Sequence, residues 1–137
     1  MIVLDTHVLI WAIHGDPRLG SAAKRALDPP GRERSVGVSA ITPWEIALLS
    51  ERGRLRLDRD VGEWIDAALT VPGISLLPIE PEIAIGSVRL PGSFPADPAD
   101  RFIVATARHH GVPLLTADRK ILAYGAEGTL QTLDARN

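Results

Sequence analysis

Short apolar runs of β-like composition alternate with helical runs along the whole of this chain. Ile2-Val3-Leu4 opens the series, and Val36-Gly37-Val38, Ile74 to Ile79, Val112 to Thr116 and Leu130 to Leu133 continue it. Between them, Val8 to Ile13 reads as a short apolar helix halted by Gly15 and Pro17, and Ser21 caps a helix through Leu27. Pro43 to Glu51 stops near Gly53, and Asp60-Val61-Gly62-Glu63 carries a capping pattern for a helix through Leu69. Pro81 to Leu90 follows, then Asp97-Pro98 launches a helix to His110 with Gly111 behind it, and Lys120 to Tyr124 is the last helix. Alternation of this kind favours a parallel sheet flanked by helices. No repeat, low-complexity tract or long linker divides the 137 residues, so residues 1–137 are expected to form a single α/β domain.

Four acids stand where these strands end or helices begin: Asp5, Glu45, Asp100 and Asp118. In an open parallel sheet, ligands bind outside the carboxyl ends of the strands, so acids scattered in sequence can converge there. Carboxylates gathered in one pocket repel unless cations share it, which points to a divalent-metal site. Each acid also has a structural alternative. Thr42-Pro43-Trp44-Glu45 fits a capping box with Thr42 at N-cap, and Asp97-Pro98-Ala99-Asp100 offers a similar arrangement. The helix dipole favours acids in a first turn, and Asp118 could be a turn residue. Asp5 is harder to dismiss, because it directly ends an apolar strand. The conjunction, more than any single residue, carries the metal reading.

The chain has no cysteine and no His spacing of the zinc type, and carboxylate oxygens suit Mg²⁺ or Mn²⁺. Metal-assisted phosphodiester hydrolysis is the corresponding reaction class, with one ion lowering the pKa of a water and a second, about 4 Å away, stabilising the leaving oxygen. A receiver-like signalling domain wants an adjacent early acid pair and a late Lys. A haloacid-dehalogenase-type phosphatase wants Asp-x-Asp. Here Asp5 is followed by Thr6 and His7, which disfavours both.

A net charge of −2 and a pI near 6.1 do not mark a nucleic-acid binder. Two bound divalent ions, adding four positive charges, would turn −2 into +2, so overall charge decides little. The absence of cysteine, the lack of a basic leader with an apolar core, and the shortness of the apolar stretch Val8 to Ile13 lead to the expectation of a cytoplasmic protein with no membrane association.

Four ordered segments resemble those of PIN-domain ribonucleases, and specifically the VapC toxins of toxin–antitoxin pairs. They are Leu4-Asp5-Thr6-His7-Val8-Leu9-Ile10-Trp11, Ser39 to Ala47 around Trp44-Glu45-Ile46, Asp97-Pro98-Ala99-Asp100-Arg101 through Ala107, and Leu114-Leu115-Thr116-Ala117-Asp118-Arg119. No segment is decisive alone, but the ordered set spans residues 4 to 119. The resemblance implies a PIN-like three-layer α/β/α sandwich with a central parallel sheet of four or five strands. It implies Asp5, Glu45, Asp100 and Asp118 as the Mg²⁺- or Mn²⁺-binding catalytic acids of an endoribonuclease that cleaves RNA by metal-activated water. Thr6 and Thr116 fall at supporting positions, and Asp97 serves as helix N-cap or behind the ligands. A cognate VapB-type antitoxin and a homodimer built on helices are the partners implied. A PIN nuclease of RNA processing without a toxin role, and a nuclease-dead binding module, are the rival readings.

Two positions depart from the family pattern: Pro95 stands where a His is common ahead of Asp-Pro, and Leu49 where many relatives carry Lys. Neither removes an acid, and both bear on substrate contacts. Arg101, Arg119 and Lys120 lie beside the acids and are the expected phosphate contacts. Arg52, Arg54 and Arg56 form a basic edge that either helps RNA or is simply solvated. Trp11, Trp44 and Trp64 are expected to pack in the core or an interface, His7 has a structural or substrate-facing role, and His109 and His110 suit a helix C-terminus.

Overall fold

A computed structural model describes residues 1–137. Strand β1 (Ile2–Leu4) passes through Asp5 into helix α1 (Thr6–His14), followed by α2 (Ser21–Leu27), β2 (Val36–Ser39), α3 (Ile41–Glu51) and α4 (Val61–Leu69). Then come β3 (Ile74–Leu77), α5 (Pro81–Val88), α6 (Pro98–His110), β4 (Leu114–Thr116), α7 (Arg119–Ala126) and β5 (Thr132–Asp134). The five strands are all parallel and lie in the order β3-β2-β1-β4-β5, with Leu4 opposite Val38 on one side and Leu115 on the other. The chain builds outward from β1 to β3, then returns to add β4 and β5 on the other flank. The direction reverses between β1 and β4, and the crevice beyond their carboxyl ends is where such a sheet leaves room for a ligand.

The central strands β1, β2 and β4 are buried along their whole length because helices cover both faces. Successive strand residues point to opposite faces, so neighbours in sequence join different cores. Leu4 and Leu115 pack with Val8, Leu9, Ile46 and Trp64 under α1 to α4. Val3 and Leu114 pack with Ile83, Ile103, Val104, Ile121 and Tyr124 under α5 to α7. The result is the expected α/β/α sandwich, with a five-stranded sheet. No helix is long and apolar enough to cross a membrane.

Helix ends follow local chemistry in most places. Gly15 (φ 62°) and Gly111 (φ 64°) close α1 and α6 in the left-handed conformation, which spares them the Cβ clash other residues meet there. Asp60 caps α4 and Asp97 caps α6 as their patterns predict. The Thr42 cap does not form. Helix α3 begins earlier, at Ile41, whose N–H donates to the Ser39 hydroxyl at 3.2 Å, and Thr42 is buried inside its first turn. Ser21 likewise falls inside α2 with Gly20 at the cap, since Gly20 N–H donates to the Ala135 carbonyl from the C-terminal segment. Helix α1 extends back to Thr6 because Asp5 itself caps it. Trp11 and Trp64 are core residues as expected, but Trp44 is half exposed on α3.

Candidate active site

Asp5 ends β1 and is 5% exposed, yet both its carboxylate oxygens have partners. Oδ1 accepts from the Thr6 N–H at 2.8 Å, and Oδ2 accepts from the Thr116 hydroxyl at 2.7 Å. Thr116 Oγ1 accepts in turn from the Asp118 N–H at 3.0 Å. These bonds tie the ends of β1 and β4 together across the switch point and aim a buried carboxylate into the crevice. Burial pushes the Asp5 carboxyl above its ordinary value, while the Thr116 and Thr6 hydrogen bonds work against that rise. The Thr6 hydroxyl lies 3.1 Å from that of Thr42, which joins the starts of α1 and α3. Burial of both hydroxyls is tolerable because each satisfies the other.

Opposite Asp5, the first turns of α3 and α6 bring Glu45, Asp97 and Asp100 together, with one carboxylate oxygen of each within 4.8 Å of the others. Asp97 accepts from the Asp100 N–H at 3.2 Å as helix N-cap, so capping and membership of the cluster coexist. The Asp100 carboxyl is pushed up to about 8, first by burial and then by the charges of Asp5, Asp97, Asp118 and Glu45. Glu45 is raised as well, by burial and by Asp5 and Asp97, against the pull of Thr6 and His7. Asp118 caps α7 through one oxygen, Oδ1, which accepts from Lys120 and Ile121 N–H. A cleft of about 310 Å³ joins Asp5, His7, Glu45, Asp97, Asp100, Asp118 and Arg136.

The donor set fits a divalent cation. It is built of hard carboxylate oxygens, and each carboxylate suffers from its neighbours' charge, a repulsion that a dication converts to attraction. A larger cavity of about 510 Å³, lined by Leu4, Leu9, Leu27 and other apolar residues, contains no converging acids and is not where this chemistry lies.

All four acids named from the sequence, and Asp97, therefore line one cleft. Thr6 and Thr116 stand directly behind them. Arg119 and Lys120 are exposed in the first turn of α7, beside Asp118. Arg101 departs from its expected role. Its guanidinium donates to the carbonyls of Pro95 (2.9 Å), Ser87 (3.0 Å) and Phe94 (2.8 Å), so three of its five N–H groups brace the loop before α6, and it is not among the residues that line the cleft. The sequence reading missed Thr42 as the partner of Thr6, and it missed Arg136, for which no motif or spacing gives a signal.

Residues 2–127 match the family model described as PIN domain. The chain is 37% identical over 123 residues to Ribonuclease VapC22 of Mycobacterium tuberculosis, covering 90% of this chain and 91% of that relative. Among solved structures it is similar to a toxin-antitoxin complex from Klebsiella pneumoniae, with TM-score 0.62, 25% identity, and 90% of this chain and 91% of that chain covered. It shares its fold with VapBC-1 of nontypeable Haemophilus influenzae, with TM-score 0.66, 21% identity and full coverage of both chains (100% and 100%). The same holds for VapBC2 of Rickettsia felis bound to a promoter DNA fragment, with TM-score 0.69, 15% identity and 98% of each chain covered. A match over nearly the whole chain, on a parallel sheet with clustered acids at its switch point, makes this chain a member of the PIN-domain family, in its VapC branch.

Proposed function

We propose that this protein is a divalent-metal-dependent endoribonuclease that acts as the toxin of a VapBC-type pair. The observation that carries the reading is the gathering of Asp5, Glu45, Asp97, Asp100 and Asp118 in one cleft at the reversal point of the sheet. Glu45, Asp97 and Asp100 would hold one ion, with Asp5 and Asp118 completing the site or serving a second. When bound, Mg²⁺ or Mn²⁺ supplies a water of lowered pKa and neutralises charge on the phosphoryl oxygens.

The chain's own residues do the rest. Thr116 and the Thr6 N–H lock Asp5 in one orientation, so the cleft is preorganised before substrate arrives. Asp118 is held by three bonds, one from its own N–H and two to Oδ1, which fixes the second wall of the cleft. Arg119 and Lys120 offer cations to the RNA backbone next to that wall. A VapB-type antitoxin would silence the site most simply by inserting an Arg among the carboxylates, where charge-assisted hydrogen bonds compete with metal. Undiminished RNA cleavage in a mixture of toxin and antitoxin would sink that part of the reading. A homodimer built on helices is the proposed assembly.

The test of the activity is incubation of total cellular RNA with purified protein and Mn²⁺, with new 5′ ends sequenced beside an Asp100→Asn control. Discrete cuts that vanish in the variant are expected. Absence of variant-sensitive cuts, from folded protein free of antitoxin, overturns the nuclease and favours a binding module.

A further inference from the structure

Arg136 belongs to a C-terminal segment stitched to the body of the protein on both sides. The Ala135 N–H donates to the Thr116 carbonyl at 2.9 Å, and the Ala135 carbonyl accepts from Gly20 N–H at 2.9 Å. The Asn137 carbonyl accepts from Ala23 N–H at 3.0 Å, and Arg136 N–H donates to Asp134 Oδ1 at 2.9 Å. Position 20 tolerates only glycine here, because a Cβ there would fall 2.1 Å from the Asn137 carbonyl oxygen. Ala135 is fully buried, which anchors the segment beside β4. That anchoring puts Arg136 on the wall of the acidic cleft, next to Ala117 and Asp118.

The guanidinium is steadied but not neutralised. Nη1 donates to the Ala117 carbonyl at 2.6 Å, and the guanidinium carbon lies 5.7 Å from the centre of the Trp11 ring. Arg18 stacks over the same ring at 4.8 Å, but its charge is already matched by Asp16 at 2.7 Å. Arg136 takes part in none of the protein's ion pairs, although five carboxylates share its cleft. Ala117 and Trp11 hold it in the wall. An exposed guanidinium fork, tethered through Nη1 and free of any ion pair, at the wall of a metal-type acidic cleft has the shape and charge to grip a phosphate with two parallel hydrogen bonds.

We infer that Arg136 contacts a backbone phosphate of the RNA strand that enters the cleft. The inference rests on the nuclease reading and adds a residue to its substrate-binding surface. Phosphate contact by an arginine contributes to affinity regardless of base and is weakened by salt, since each neutralised phosphate releases condensed counterions.

The test pairs binding with cleavage. Affinity for a single-stranded RNA oligonucleotide is measured across a salt series without metal in an Asp100→Asn background, chosen to suppress cutting. Cleavage with Mn²⁺ is measured in the otherwise native chain. Arg136→Ala is expected to weaken RNA binding roughly ten- to a hundredfold, and to flatten the slope of log affinity against log salt by about 0.7. Arg136→Lys should keep the slope and recover part of the affinity, because it restores the charge without the fork. The melting temperature should stay at its native value, and Mn²⁺ should bind at least as tightly, since a cation has been removed from the cleft. An unchanged salt slope in Arg136→Ala overturns the inference, whether or not the melting temperature falls. Native protein that cuts no RNA overturns the nuclease reading instead, whereas native protein and Arg136→Ala cutting equally well overturn this inference alone.

Discussion

The Thr116 hydroxyl donates to Asp5 Oδ2 at 2.7 Å, joining residues 111 positions apart. Thr116 Oγ1 also accepts from the Asp118 N–H at 3.0 Å, so one hydroxyl links two acids of the cleft, Asp5 and Asp118. Thr116→Val keeps the shape and removes both bonds, which leaves a buried carboxylate oxygen and an N–H short of a partner. The expected cost is about 1–3 kcal/mol of stability, read from denaturant unfolding, together with a fall in RNA cleavage. Thr116→Ser should behave as the native protein. A valine variant of native stability and activity would show that Asp5 needs no orienting bond from Thr116.

Burial first, and carboxylate crowding second, set the expected pH dependence of the metal-free protein. The Asp100 carboxyl is pushed up to about 8 in the folded state from an ordinary value of 3.8. Between those values the folded protein holds a proton that the unfolded chain releases, so stability falls as pH rises through that window. Asp5 and Glu45, also raised, act in the same direction. Asp16, lowered to about 2 by Arg18, acts oppositely, but its effect is confined to pH below about 4. The metal-free melting temperature should therefore drop from about pH 5 to about pH 8, and Asp100→Asn should flatten that drop. A melting temperature that rises over the interval refutes the raised carboxyls.

Mn²⁺ should reverse the effect. Binding to the folded state alone at a hundredfold excess over Kd adds about 2.7 kcal/mol, and it releases protons because the ligands must ionise. Calorimetric titration in two buffers of different ionisation enthalpy measures that release directly. Proton release should be larger near pH 7 than above pH 9, where Asp100, at about 8, is already ionised. Equal release at both values counts against Asp100 as a ligand.

Asp97 separates its two duties by substitution. Asp97→Asn keeps a side-chain oxygen that can accept from the Asp100 N–H and removes the charge, so stability should hold while Mn²⁺ affinity falls. Asp97→Ala loses the cap too, at about 1 kcal/mol. If the Asn variant binds Mn²⁺ as tightly as the native chain, Asp97 is only a cap.

Arg101→Ala strands three carbonyls, those of Ser87, Phe94 and Pro95. It should cost about 2–4 kcal/mol while leaving the salt dependence of RNA binding untouched in whatever fraction remains folded. A flattened salt slope would return Arg101 to the phosphate-contact role that its position beside Asp100 first indicated.

Much of the fold was legible because its signals are local. Apolar runs such as Ile2-Val3-Leu4, the Asp97-Pro98 start of α6 and its Gly111 stop act within one helical turn or one strand, where sequence distance and spatial distance agree. Thr42 misled for the opposite reason. It has the chemistry of a cap, but its hydroxyl meets Thr6 in the folded protein, and that contact outweighs the local pattern. Strand ends were also overextended: β4 begins at Leu114, since Pro113 has no N–H to give the ladder, although its carbonyl accepts from Val3.

Strand-helix alternation was readable in the sequence by itself because it is a short-range signal. Each acid alone also read as a cap or turn residue, and the set of four was expected from their places at strand ends and helix starts together with the resemblance to PIN-domain ribonucleases. Tertiary structure decided which charged groups meet. Asp97 entered the cluster, Arg101 was spent on three backbone carbonyls, and Arg136 arrived at the cleft wall from the far end of the chain. Hydrogen bonding and charge pairing act over a few ångströms. Which groups come within that range is set by β1 and β4 meeting at the switch point and by the tail that packs beside them, and neither is written in any local stretch of residues.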